Sequence, residues 1–147
     1  MGRILFLVLT SVVVAAEPGV KTQVVGGTVQ GVKPKSNAQI DLTAPDALSV
    51  QCGGTSLRID YRKIHTLEYG QNVSRRYAAA ILVSPVFLLS KSRRHFVTIG
   101  YLDDAGAQQA LVFRVDKNDV RSVLASLEAR TGRRVEYQDD EARKGRG

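Results

Sequence analysis

The reagents available to this 147-residue chain are few: two His, one Cys and 14 Asp+Glu against 21 Lys+Arg. His65 and His95 both sit within alternating apolar patterns, and no Gly-x-Ser-x-Gly elbow accompanies them, so packing or surface roles are expected for both. One Cys and two His are too few for a closed structural zinc site, and a single Cys excludes an intrachain disulfide. Asp103-Asp104 reads as a turn and Asp139-Asp140-Glu141 as a tail. Neither has the alternating oxygen ligands of a calcium loop. Gly26-Gly27 and Gly53-Gly54 are followed by no Gly-Lys-Ser/Thr and read as turn glycines rather than a phosphate cradle. The expectation is a non-enzymatic protein with no catalytic residue, no metal and no cofactor.

What chemical character there is lies in charge and apolarity. Between Arg58 and His95 there are eight basic residues (Arg58, Arg62, Lys63, Arg75, Arg76, Lys91, Arg93, Arg94) and two acids (Asp60, Glu68), a local charge of +6. From Glu17 onward the rest of the chain is balanced, with twelve basic and twelve acidic residues. Inside the basic window lies Tyr77-Ala-Ala-Ala-Ile-Leu-Val-Ser-Pro-Val-Phe-Leu-Leu89, thirteen residues without a charge. That run is short for a membrane span, and Pro85 interrupts any helix in its middle. Basic residues at both ends keep both termini on one polar side. Such a segment either dips into a bilayer while its arginines meet lipid phosphates, or packs against the domain's own core, a subunit or a partner protein; it does not stay bare in water. The candidate membrane- or partner-binding residues are Arg75, Arg76, Ile81, Leu82, Val86, Phe87, Leu88, Leu89, Lys91, Arg93 and Arg94. Nucleic acid is not an expected partner, since the basic window has few interleaved aromatics and no recognised binding signature.

The elements that must position this segment follow from periodicity. Met1-Gly2-Arg3, the uncharged run Ile4–Ala16 and the small residues Val14-Ala15-Ala16 have the order of a secretory signal peptide, so residues 1–16 are expected to be removed and the protein to be periplasmic or secreted, peripheral to a membrane. Residues 17–37, with Pro18, Gly19, Gly26, Gly27, Gly31 and Pro34, read as a flexible leader carrying one short strand near 28–32. Period-two alternation then predicts strands at 38–42, 47–52, 57–61 and 65–69, with Gly53-Gly54 as a hairpin turn and His65, Leu67 and Tyr69 on one face. Cys52 falls on the face of Leu48 and Val50 and is expected to be a small core residue. Residues 71–94 break the rhythm as an insertion. Strands return at 96–101 and 111–115 around the turn Asp103-Asp104-Ala105-Gly106. Val120, Val123, Leu124 and Leu127 predict a helix over 117–130 with Asp116 as N-cap and Gly132 as C-cap. Residues 132–147 read as a charged tail.

The predicted class is mainly β (α+β): a small antiparallel meander of six or seven strands closed by one C-terminal amphipathic helix, the domain spanning 38–131. The segment Leu57-Arg-Ile-Asp-Tyr-Arg-Lys-Ile-His-Thr-Leu-Glu-Tyr69, followed by the hairpin 96–115 and the terminal helix, resembles bacterial pleckstrin-homology-like and GRAM-like domains. Ser90-Lys-Ser-Arg-Arg-His-Phe96 with that hairpin and helix end is similar to uncharacterised exported bacterial proteins. The resemblance implies that the meander bends into a partial barrel. Inositide binding is not carried over from the resemblance, because no basic binding loop is evident between the first two strands.

These expectations combine into an exported binding or scaffolding module acting on an anionic membrane surface or an envelope protein through a basic-flanked apolar loop. The alternative is a structural or homo-oligomeric protein whose apolar loop is a subunit interface with no lipid role.

Overall fold

A computed structural model describes residues 19–72 and 94–138. Their elements are eight strands, β1 (Val20–Gly27), β2 (Asn37–Asp41), β3 (Ala47–Cys52), β4 (Thr55–Asp60), β5 (Ile64–Gly70), β6 (His95–Leu102), β7 (Gln108–Val115) and β8 (Glu136–Tyr137), with a single 3-10 turn at Tyr61–Lys63 and one helix, α1 (Val120–Thr131). The expected class holds at this level: mainly β with one helix.

The strands form one mixed sheet in the order β4-β3-β2-β1-β7-β6-β5-β8, antiparallel except for the β5–β8 pair. Seven strands laid flat would put β4 and β5 about 29 Å apart, at roughly 4.8 Å per step. Yet β4 ends at Asp60 and β5 begins at Ile64, a reach of at most about 14 Å. The sheet therefore curls until its two ends face each other, although no ladder closes them. One core fills the curl, drawing Leu48, Val50 and Cys52 from β3, Ile59 from β4, Leu67 and Tyr69 from β5, and Leu111 and Phe113 from β7. Val120, Val123, Leu124 and Leu127 of α1 join the same core, the amphipathic stripe expected from the sequence.

Local chemistry accounts for the turns. Cys52 pairs with Thr55 across Gly53 and Gly54, whose φ values of 52° and 87° suit the right-handed twist of a two-residue hairpin and favour glycine. At the β6–β7 turn the Asp103 carboxylate accepts from the Ala107 backbone N–H (2.8 Å) and Gln109 Nε2 (3.0 Å). Gly132 ends α1 in the left-handed region (φ 68°), its N–H donating to the Glu128 carbonyl.

Several sequence expectations need correction. The stretch expected as a flexible leader contains β1, which lies mid-sheet between β2 and β7 with Val24 and Val25 fully buried; residues 28–32 are a loop, not a strand. The helix starts at Val120 with Asp119 as N-cap, because Asp116 instead closes a preceding turn by accepting from the Asn118 N–H. Tyr61 leaves its strand for the 3-10 turn. A bulge between Ile64 and Thr66 puts Ile64 in the core and displaces His65 from the face of Leu67 and Tyr69. The part expected as tail supplies buried Val135 and β8. The signal segment 1–16, residues 73–93 of the insertion and the tail from 139 lie outside the described residues.

Candidate functional site

β5 and β6 pair from Ile64↔Tyr101 to Gly70↔Phe96. The insertion thus leaves and re-enters the sheet at a single point, from antiparallel partners whose Cα atoms are about 5 Å apart. In sequence, Arg75 and Arg76 follow Gly70 by five and six residues, and Lys91, Arg93 and Arg94 precede the start of β6 by four, two and one.

The root of the insertion is packed with aromatic rings on the core side. The Tyr69 hydroxyl and His95 Nδ1 are 2.6 Å apart, with the two rings parallel at a centroid distance of 5.9 Å. Tyr137 of β8 meets Tyr69 edge-on at 5.8 Å. Burial holds the His95 imidazole below its ordinary pKa, helped by the Lys117 charge and opposed by Asp116. On the opposite face buried Glu68 accepts from Gln138 Nε2 at 3.4 Å, and the Gln138 N–H donates to the Tyr69 carbonyl. β8 and its following residue thus strap the β5 edge where the insertion departs. The Tyr69–His95 pair was missed by sequence reasoning: twenty-six residues separate the two, and only the long-insert hairpin brings them together.

Of the candidate binding residues, Arg94 alone is described. It is half-buried immediately before β6. Arg75, Arg76, Ile81, Leu82, Val86, Phe87, Leu88, Leu89, Lys91 and Arg93 lie outside the described residues.

The other basic residues of the +6 window are occupied elsewhere. Arg58 pairs with Asp46 (2.7 Å), Arg62 with Asp60 (2.8 Å) and Lys63 with Asp104. The Asp60 carboxyl is held down to about 2, chiefly by the Arg62 side-chain hydrogen bond and then by the Arg62 backbone N–H. These three cations flank the start of β5, about 20 Å along the strand from Gly70. Each has a carboxylate partner, Asp60 within the window and Asp46 and Asp104 outside it.

Hollows lie at both ends of the sheet. A cavity of about 270 Å³ lies between α1 and the β5–β8 edge, lined by Tyr69, Val120, Leu124, Glu128 and Tyr137. A shallower cleft of about 510 Å³ at the other end of the sheet is lined by Asp60, Lys63, Tyr101, Asp103 and Asp104 among others, several of them already paired. Among the described residues no cluster of three His, Cys, Asp or Glu could hold a metal ion, and no helix is long and apolar enough to cross a membrane. No family model matches the chain, and no curated protein matches it in sequence.

Proposed function

We propose that the chain is an exported, non-enzymatic binding or scaffolding module on a pleckstrin-homology-like partial barrel, acting at an envelope membrane surface or on a protein partner. Arg75, Arg76, Lys91, Arg93 and Arg94 supply the electrostatics, and Ile81, Leu82, Val86, Phe87, Leu88 and Leu89 the apolar contact. The observation that carries the reading is the Gly70↔Phe96 pairing. It sets the two ends of the 71–94 insertion side by side at one end of the sheet, while Arg58, Lys63 and Arg62 pair with carboxylates at the other. The curl of the sheet, the three-residue step from β4 to β5 and α1 over the core support the barrel part of the reading.

Each basic side chain near an anionic bilayer is worth about 1 kcal/mol, so five supply about 5 kcal/mol at low salt. Screening confines their reach to roughly 3 Å at 1 M salt. The test is flotation of the processed protein with anionic and with neutral liposomes, at low salt and at 1 M salt. A variant with Arg75, Arg76, Arg93 and Arg94 all changed to Ser is run alongside. Binding to anionic vesicles only, lost at high salt and in the variant, is the expected result. Absence of binding by a monomer overturns the membrane form of the proposal. A stable dimer that ignores both lipid and salt favours the alternative, a subunit interface without a lipid role.

A further inference from the structure

The sheet has a second face, and its two halves differ. On β2, β3 and β4 the side chains turned away from the core are polar and wholly or partly exposed, as at Gln39, Ser49, Gln51 and Arg58. On β1, β7, β6 and β5 most outward positions are buried: Val25 and Val112 are 0% exposed, Ala110 1% and Phe96 3%, with the polar Thr98, Glu68 and Thr66 buried beside them and Arg114 exposed at the margin. Val25, Phe96, Ala110 and Val112 take no part in the core cluster, which lies wholly on the other side with α1. Cross-strand pairing makes them one patch, since Phe96 pairs with Arg114, Thr98 with Val112, Gly100 with Ala110 and Gly26 with Val112. An apolar sheet face of this kind has to be covered.

The geometry points to the apolar run 77–89 of the chain itself as the layer over this outer face. The inference goes beyond the proposed function and stands without it. Gly70 and Phe96, where the insertion begins and ends, form the first outward row of the patch. The patch then extends about 13 Å along the strands, at roughly 3.3 Å per residue. The six residues 71–76 and five residues 90–94 each reach over about 16–20 Å when extended, so the run can lie anywhere on the face. Tethering at both ends also keeps its local concentration high. The tail is unsuited to the position, because six of its last nine residues are charged. A thirteen-residue run without a charge is apolar on every side, whatever its backbone does. The sheet can cover only one side of it, which leaves the other for the membrane or partner surface.

The test is cysteine cross-linking on the protein as the cell processes it, in a Cys52→Ala background that removes the one native thiol. Val112→Cys is combined in turn with Leu82→Cys, Val86→Cys and Phe87→Cys, and each pair is oxidised without lipid present. At least one pair is expected to close within a monomer and lose its maleimide labelling, while Ser49→Cys with the same partners stays labelled. Free labelling at Val112→Cys in all three pairs overturns the inference. So does a disulfide linking two chains, which makes a second copy the cover, or closure onto Leu7→Cys instead, which makes it the N-terminal run. A second measurement needs no engineered thiol. A chain whose residues 77–89 are replaced by a Gly/Ser segment is expected to bind a dye for exposed apolar surface where the unaltered monomer does not, and dye binding by the unaltered monomer overturns the inference. Neither measurement contains liposomes, so failure of the flotation experiment leaves this inference standing, and the reverse.

Discussion

Val112→Ala removes two methyl groups from a side chain that is fully buried on the outer face of β7. At about 0.8 kcal/mol per group plus a small cavity term, the cost with the face covered is about 2 kcal/mol. With the face open to water the transfer term disappears, and only the difference in strand preference remains, below about 1 kcal/mol. The informative quantity is therefore the change in cost between the unaltered chain and one carrying Gly/Ser in place of residues 77–89. A coupling of about 1–1.5 kcal/mol is expected between the two changes. Urea unfolding followed by far-UV circular dichroism resolves it, since a slope of about 1–3 kcal/mol/M places the midpoints of the two series well apart. Val50→Ala, fully buried on the core face, serves as control and should cost the same in both backgrounds. Equal costs for Val112→Ala in both, or no cost in the unaltered chain, would refute the reasoning that the insertion covers this face.

Gly132→Ala is expected to destabilise by about 1 kcal/mol: left-handed strain of about 1–2 kcal/mol is partly offset by the smaller entropy of the unfolded chain. No atom lies within 4 Å of the added Cβ, so a much larger loss in urea unfolding would contradict that account. Stability should also depend on pH in two windows. His95 is held below its ordinary value of 6.5, so the unfolded chain takes up a proton first and its contribution, complete above 6.5, is lost as pH falls through the folded value. Asp60, held at about 2 against an ordinary 3.8, contributes above 3.8 and loses that contribution as pH falls toward 2. Thermal unfolding from pH 8 to pH 2 checks both, and His95→Phe should flatten the upper window alone.

The strands whose side chains sort by two were legible: β2, β3, β5, β6 and β7 fall where alternation places them, and Gly53-Gly54 marks its hairpin. β1 was hidden because Val24 and Val25 are buried on opposite faces, which erases the polar–apolar alternation, because its register shifts between Val24 and Gly26, and because six Gly and Pro residues lie within and around it. The outer face was equally obscure. Ala110-Leu-Val-Phe113 and Phe96-Val97-Thr98-Ile99 are continuous runs, a pattern that marks burial on both sides, but the alternation of their largest residues masks it. The charge asymmetry was legible as a total, while its division was not: Asp46 and Asp104, which neutralise Arg58 and Lys63, lie outside the basic window. β8 depends entirely on tertiary placement, since two residues carry no period at all.

The central position of β1 sets an order of assembly. β2 to β4 and β6 to β7 join neighbours through short turns, but β1 reaches β7 across the chain, as when the Thr22 hydroxyl donates to the Arg114 carbonyl 92 residues away. Closing a loop of that length costs about 4 kcal/mol in chain entropy, about twice the cost for a ten-residue turn. Synthesis compounds the delay, since Val20–Gly27 is made some eighty residues before Gln108–Val115. Until then β1 has only β2 beside it, and the edge meant for β7, with two bulky valines, is open to pairing with another chain. The rate at which β7 arrives is thus the rate at which the open edge of β1 closes.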